Sequence, residues 1–264
     1  MNQTFNIRRF GWFFKKTLLE RPAQLIGLII LCMAFSVLVY AFCKFTAGFD
    51  VAQNATFMVG LIGGGCFLAS LVYGHFGTNA SGSSYLTLPA SQFEKWLCGI
   101  LITGVLYVAI FLLFFRFIDS TFISIYHNSL DPKSPYYKEL YDHVQLFPYN
   151  GFVASRCYMM FTNFGGAMLI GSLYFNKALF IKVALLLCGL CFGAFLFNLL
   201  IANLFFDHVD SAFPYYLVWI TFNKDRGRLE LPSGTLNIIN IVFQYIVPVI
   251  LWILAYVRLR EKEF

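Results

Sequence analysis

Charged residues are scarce in this chain of 264 residues: only 12% are Asp, Glu, Lys or Arg, while 59% are hydrophobic. A globular protein in water carries about 25% charged residues, roughly twice this share, because its surface has to be hydrated. Most of the surface must therefore face lipid, which excludes an ordinary water-soluble domain. The net charge of +6 favours contact with anionic membrane lipid over nucleic acid.

Sequence motifs for catalysis and nucleotide binding are missing as well. There is no G-x-x-x-x-G-K-[ST] phosphate loop, no G-x-S-x-G nucleophile elbow and no H-E-x-x-H zinc motif. Ser70 and His75 share one apolar segment without a third group to support catalysis. Only Cys157 among the seven cysteines is expected near the outer surface, so no disulfide framework is predicted. We therefore expect no catalytic residue, no metal site and no cofactor bound by this chain.

Long apolar runs are what the sequence has in place of charge. A membrane-crossing helix needs about 20 mostly apolar residues, whereas barrel strands alternate polar and apolar positions. The runs do not alternate, so the sequence predicts an all-α integral membrane protein, with residues 1–264 forming one domain of six transmembrane helices. The predicted spans are about 22–43, 55–76, 97–118, 157–176, 179–206 and 235–257.

The distribution of basic residues predicts how the chain is inserted, because cytoplasmic loops carry the excess of Lys and Arg. With the amino terminus inside, the inner segments hold eleven basic and four acidic residues, and the outer segments hold eight and nine. We therefore expect both termini to be cytoplasmic. The segments 119–156 and 207–233 are then external and rich in Tyr and Phe, forming either a cap over the bundle or a substrate-binding surface.

Residues 1–21 mix basic and aromatic side chains and are predicted to form an interfacial helix, the alternative being a disordered basic tail. The aromatic residues would enter the headgroup boundary and the basic residues would contact lipid phosphates. The aromatic set is Phe5, Phe10, Trp12, Phe13 and Phe14, and the basic set is Arg8, Arg9, Lys15 and Lys16.

No Asp, Glu, Lys or Arg lies near the centre of any predicted span, and this absence argues against a proton-coupled transporter. Asn237, Asn240 and Gln244 recur at spacings of three and four, which places them on one helix face. They are expected to make hydrogen bonds between helices or, alternatively, to line the path of a polar substrate. The G-x-x-x-G pairs Gly60–Gly64 and Gly189–Gly193 predict close helix packing.

The inner segment 83–96, SSYLTLPASQFEKW, is longer than a turn between two helices requires. Ser91 and Glu94 have the spacing of a capping box that starts a helix at Gln92, and Pro89 prevents a continuous helix through the segment. The result is a short amphipathic element whose apolar residues lie on a cytoplasmic protrusion, where they favour a protein partner. An interfacial helix anchored by Phe93 and Trp96 is the alternative.

Four blocks of sequence together carry a family resemblance. They are Leu-Pro-Ala-Ser-x-x-Glu-Lys at 88–95, the long outer segment after the third span, Gly-Ser-Leu-Tyr-Phe at 171–175 and Arg-Leu-Arg-Glu-Lys-Glu at 258–263. In this pattern the chain resembles the permease subunit of ABC transporters of the ABC-2 type. The resemblance covers the whole chain in topology, although only the first block is distinctive.

This resemblance implies an exporter subunit in a bacterial cytoplasmic membrane, working as a homodimer with a separate ABC ATPase subunit that binds the ATP and Mg. The segment 83–96 would form the coupling helix that docks on the ATPase. Its implied contact residues are Leu86, Leu88, Pro89, Ala90, Ser91, Phe93, Glu94 and Lys95. The alternative is a non-transporting membrane scaffold or assembly subunit that recruits a cytoplasmic partner through the same segment.

Overall fold

The structure is a computed structural model that describes residues 5–20, 22–74, 82, 84–85, 87–175, 179–205, 209–213, 217–222, 225–230 and 232–261. The helices are α1 (Ile7–Glu20), α2 (Pro22–Ala47), α3 (Phe49–Val72), α4 (Gln92–Ser129), α5 (Tyr137–His143), α6 (Phe152–Tyr174), α7 (Leu179–Phe205) and α8 (Ser233–Glu261). The strands are β1 (Val209–Phe213), β2 (Leu217–Phe222) and β3 (Asp225–Glu230).

Five of the described helices are long and apolar enough to cross a membrane, which establishes a multi-pass membrane protein. These stretches are Ile26–Ala47, Phe49–Val72, Gln92–Ser129, Phe180–Phe205 and Ser233–Glu261. They match five of the six predicted spans. The largest change in bounds is in α4, which continues to Ser129 instead of ending near residue 118, because a helix can extend beyond the bilayer once neighbours pack against it.

The predicted span at 157–176 corresponds to α6, which is not among the five apolar helices. Its 23 residues would still reach across ~30 Å of hydrocarbon at about 1.5 Å per residue. Arg156 and Asn163 reduce its apolarity, and ten of its residues are buried. A helix enclosed by other helices does not have to match the lipid, which explains the weaker apolar signal.

Three of the crossing helices contain a π-helical turn, at Val59–Gly64 in α3, Leu101–Leu106 in α4 and Val242–Ile246 in α8. A π turn inserts one extra residue and leaves a local irregularity in the helix wall, often at a functional position. The turns in α3 and α4 are next to each other, since the Tyr107 hydroxyl donates a hydrogen bond to the Gly60 carbonyl.

The segment 207–233, predicted to be external, contains a small antiparallel sheet in the order β1-β2-β3. Val218 pairs with Ala212 on one side and with Leu229 on the other. The β2 sequence, LVWITF, is rich in β-branched and aromatic residues, which favour strands. The all-helical prediction is thus confirmed for the apolar crossing part, and the structure adds this sheet between α7 and α8.

Glycines allow α3 to pack closely against α4, as the first G-x-x-x-G pair predicts. A Cβ atom at Gly60 would collide with the Phe111 ring, and one at Gly64 would collide with the Tyr107 hydroxyl. The second pair behaves differently, because a Cβ atom at Gly189 or Gly193 would meet no atom within 4 Å.

A buried carboxylate organises the end of the bundle where α4 finishes. Asp119 accepts hydrogen bonds from the Tyr40 hydroxyl (2.8 Å), the Gln53 amide (2.8 Å) and the Phe147 backbone N–H (2.9 Å). Its side chain is fully buried, and so is that of Phe57, which packs on Phe147 with a ring distance of 4.7 Å. The segment after α5 is therefore held over the bundle, and we refer to this part as the Asp119 end.

We expect the Asp119→Leu substitution to destabilise the fold by about 3 kcal/mol, because it leaves three buried donors without an acceptor. Asp119→Asn keeps one acceptor oxygen and should cost about half as much. Chemical unfolding in detergent micelles measures both changes. Asp142→Ala, at an exposed position of α5, is the matched control. An equal loss for Asp142→Ala and Asp119→Leu would contradict the assigned role.

Candidate functional site

The site begins at the turn before α4, where two local features set the direction of the chain. The Ala90 N–H donates to the Leu88 carbonyl at 2.7 Å and closes a tight turn around the exposed Pro89. Ser91 then caps α4: its hydroxyl accepts from the Glu94 N–H at 3.2 Å, and the Glu94 carboxylate accepts from the Ser91 N–H at 2.9 Å. The predicted capping box is confirmed.

Glu94 also binds α1, a contact that the sequence did not predict. Its carboxylate accepts hydrogen bonds from Arg9 Nη2 at 2.7 Å and Nε at 2.8 Å, and from the Asn6 backbone N–H at 2.9 Å. The Glu94 side chain is fully buried, while that of Arg9 is 29% exposed. One carboxylate thereby joins the start of α4 to the start of α1, an arrangement that we call the Glu94 clasp.

The clasp is charge-assisted on both sides. The hydrogen bond to Glu94 raises the pKa of the Arg9 guanidinium. Partial desolvation of the guanidinium lowers this pKa but is the smaller effect. Arg9 therefore stays protonated at physiological pH and is a permanent donor. Asn6 completes the arrangement, since its side-chain oxygen accepts from the Arg8 N–H at 3.0 Å and caps the first turn of α1.

The helix α1 has two faces, which changes part of the sequence prediction. Phe10 and Phe13 are buried against the protein rather than inserted in lipid, and Phe13 contacts the Tyr85 ring at 6.0 Å. The opposite face is exposed and mixes basic with large apolar residues. We call it the basic face, and it consists of Arg8, Trp12, Lys15, Lys16 and Leu19.

An aromatic cluster surrounds the capped start of α4. The Phe93 ring lies 6.0 Å from Phe5, 5.4 Å from Trp96 and 6.2 Å from Tyr256. The Trp96 indole donates to the Trp252 carbonyl at 2.8 Å, which fixes α8 against α4. Residues from the first and the last described helical regions therefore meet at one end of the bundle, which we call the Glu94 end.

The predicted contact residues of segment 83–96 divide into an inward and an outward group. Ala90, Ser91, Glu94 and Lys95 are buried, so they form the scaffold of the turn instead of its surface. The outward group consists of the exposed Pro89, the half-buried Leu88 and Phe93, which is 40% exposed. Leu86 lies outside the described residues.

The predicted amide face consists of Asn237, Asn240 and Gln244, and only part of it makes hydrogen bonds between helices. Asn240 accepts a hydrogen bond from Arg156 at 2.8 Å, which joins α8 to α6. Asn163 reinforces this contact by donating to the Phe243 carbonyl at 2.7 Å. Asn237 and Gln244 are exposed. The interhelical alternative therefore describes Asn240, whereas the other two amides point away from the described protein.

A half-open apolar groove of about 410 Å³ lies between α2, α3 and α7. Its floor is the π turn of α3, where Gly63 has open space above it. The walls are Leu31, Cys32, Phe35, Ser36, Val59, Phe67 and Phe180. The volume is in the range of small-molecule sites, ~300–1,000 Å³. The sequence shows the glycines of this groove but not which helices enclose it.

Within the described ranges, no group of three or more His, Cys, Asp or Glu side chains is placed to hold a metal ion. Comparison of the chain with protein-family models, with curated proteins and with solved structures returns no match. The Glu94 end, the Asp119 end and the groove are therefore the features from which a function can be inferred.

Proposed function

We propose that this chain is the membrane-spanning permease subunit of an ATP-driven exporter of the ABC-2 type. The observation that carries this proposal is the capped turn at Leu88–Phe93, which is held rigidly on two sides and presents an apolar tip. A separate ATPase needs such a tip, because closure of the ATPase moves the permease only through a contact that does not yield. ATP and Mg belong to that partner subunit.

Six crossings fit the proposal better than five. Phe5 and Tyr256 both contact Phe93, so the start and the end of the described chain lie at one end of the bundle. A chain whose two ends lie on one side crosses the membrane an even number of times, and this supports the proposal that α6 is the sixth crossing. The excess of basic residues favours the cytoplasmic side for this Glu94 end, in a bacterial inner membrane.

Two copies of the permease complete the proposed transporter. None of the 18 residues in the most apolar window of α7 is buried, which leaves a long helix available for a second, identical or related chain. The same exposure suits lipid, so the dimer is proposed on the resemblance to the family and not on this surface alone.

We further propose that the apolar groove receives the hydrocarbon part of the cargo. The Gly63→Leu substitution is expected to fill the groove without unfolding the chain, since the nearest atom to an added Cβ is Val59 Cγ1 at 4.0 Å. A diazirine-labelled fatty acid should label residues 59–67 in the wild type and only weakly in this variant. Gly104→Leu, in the π turn of α4, has similar space and is the matched control. Equal labelling of both variants would contradict the assignment.

The transport proposal is tested by a crosslinking reagent at the tip of the turn. A benzophenone on Pro89→Cys, in a chain whose native cysteines are replaced, should crosslink to a soluble protein carrying a phosphate-loop motif. The same reagent on Lys133→Cys, beyond the Asp119 end, should not. A crosslinked partner without a phosphate loop would favour the scaffold alternative and overturn the transporter proposal, as would the absence of any crosslink specific to Pro89→Cys.

A further inference from the structure

The basic face of α1 combines exposed cationic side chains with exposed large apolar side chains. Its residues recur at spacings of three, four and seven, so they lie along one side of the helix. Trp12 is 74% and Leu19 is 61% exposed, between the exposed cations of Arg8, Lys15 and Lys16. Among the described residues, no carboxylate forms an ion pair with these three cations, since the two ion pairs found there involve Arg9 and Arg258.

We propose that the basic face of α1 binds anionic phospholipid headgroups, and that this binding holds the Glu94 clasp closed. The proposal does not rest on the transport function. It adds a lipid partner, and a consequence of lipid binding, to a contact that the structure shows within the chain.

Charge and shape both favour a headgroup layer as the occupant. Three cations on one side attract lipid phosphates, while an indole ring and a leucine side chain between them can enter the boundary between headgroups and acyl chains. Glu20 is the only acidic residue of α1, and it occupies the last position of the helix. The face therefore has the pattern of an interfacial helix that prefers anionic to zwitterionic lipid.

The position of α1 in the chain places it beside the membrane. The apolar stretch of α2 begins at Ile26, so only residues 21–25 separate the last residue of α1 from a membrane-crossing segment. Because the opposite face of α1 is packed on the protein through Phe10 and Phe13, the helix cannot rotate its basic face inward without breaking that packing. A leaflet is consequently the nearest surface that the basic face can meet.

The clasp connects lipid binding to segment 83–96. Glu94 accepts from Arg9 and from the Asn6 N–H on α1, and from the Ser91 N–H at the start of α4. Headgroups that fix α1 reduce the freedom of two of these donors, so they favour the state in which all three hydrogen bonds are made. Loss of the headgroups should release α1 and the turn together.

Lipid binding is tested with Lys15→Gln/Lys16→Gln against the matched pair Lys133→Gln/Lys138→Gln, which removes the same charge from exposed positions beyond the Asp119 end. Native mass spectrometry measures the binding of phosphatidylglycerol and phosphatidylcholine to the full chain. Each basic residue near a membrane surface contributes a factor of about five in affinity, so the first pair should weaken phosphatidylglycerol binding about 25-fold. The matched pair should leave it within about twofold, because charges remote from the site are screened.

Clasp closure is tested by hydrogen exchange of the two N–H groups that donate to Glu94. Peptides containing Asn6 and Ser91 should exchange more slowly in phosphatidylglycerol nanodiscs than in phosphatidylcholine nanodiscs, and Lys15→Gln/Lys16→Gln should abolish the difference. Equal effects of the two lysine pairs, displacement of the lipid by millimolar inorganic phosphate, or exchange that is the same in both lipids would overturn the proposal.

Discussion

Replacing Glu94 with alanine is expected to destabilise the chain by about 2–3 kcal/mol, the largest loss of any single change at the Glu94 end. The substitution leaves the buried N–H group of Ser91 without its acceptor, which costs ~1–3 kcal/mol, and it also removes the acceptor of the part-buried Asn6 N–H. It also removes half of the capping box of α4. Because one side chain supports two helix starts, α1 and the turn at Pro89 should loosen in the same transition.

A double-mutant cycle separates the clasp from the cap. Arg9→Ala, Glu94→Ala and their combination, followed by thermal unfolding in detergent, give the coupling between the two side chains. The exposed pair Arg258–Glu261, with an N···O distance of 3.3 Å, is the matched control and should show coupling of only about 0–1 kcal/mol. A coupling between Arg9 and Glu94 no larger than that of the control pair would show that α1 is held by its apolar face alone.

The sequence predicts the cap of this site but not the clasp, for a physical reason. Ser91 and Glu94 are three residues apart, so the capping box follows from helix geometry alone. Arg9 and Glu94 are separated by 85 positions, and which of the basic residues of α1 reaches a carboxylate depends on how the helix is oriented. Composition predicted an interfacial helix over residues 1–21; the structure shows a helix at Ile7–Glu20, and composition could not indicate that Phe10 and Phe13 turn inward.

The partners of the polar residues inside the bundle could not be predicted from the sequence for the same reason. Asp119 lies at the predicted boundary of the third span, where a carboxylate is expected to face water. Its burial depends on Tyr40, Gln53 and Phe147, which come from three other parts of the chain. In α6, likewise, Arg156 is tolerated because Asn240 of α8 accepts its hydrogen bond. Periodicity and charge counts locate such residues but do not supply their partners.

The groove shows a second reason why the sequence alone does not predict the whole site. Glycines in GLIGGGC predict close packing, and two of them, Gly60 and Gly64, do face aromatic side chains of α4. Gly63, in the same π turn, has no atom nearer than 4.0 Å to an added Cβ and leaves space instead. A sequence pattern does not distinguish a glycine that fits against a neighbour from one that opens a cavity, since the difference depends on a single extra residue in the turn.

The turn at Pro89 is the part of the molecule at which we propose that an ATPase subunit docks. Ala90, Ser91, Glu94 and Lys95 are buried and hold its shape, so force applied at the tip reaches α1 and α4 together. The buried residues therefore support the turn, and the exposed apolar residues are available for contact with a partner. A substitution of Glu94 would therefore disturb the fold as well as the contact, and it is unsuitable as a test of docking.

Phe93→Ala is instead expected to uncouple the chain from the proposed ATPase subunit while leaving it folded and inserted. Phe93 is 40% exposed, and an aromatic anchor lost from the centre of an interface typically costs ~2 kcal/mol, or about 30-fold in affinity. Phe117→Ala removes the same side chain from a 68% exposed position on the same helix and is the matched control. Co-purification of each variant with the ATPase captured at Pro89→Cys, followed by measurement of ATP hydrolysis, gives the result. If Phe93→Ala retains the ATPase and its activity as well as Phe117→Ala does, the tip of the turn is an interfacial anchor and not a coupling element.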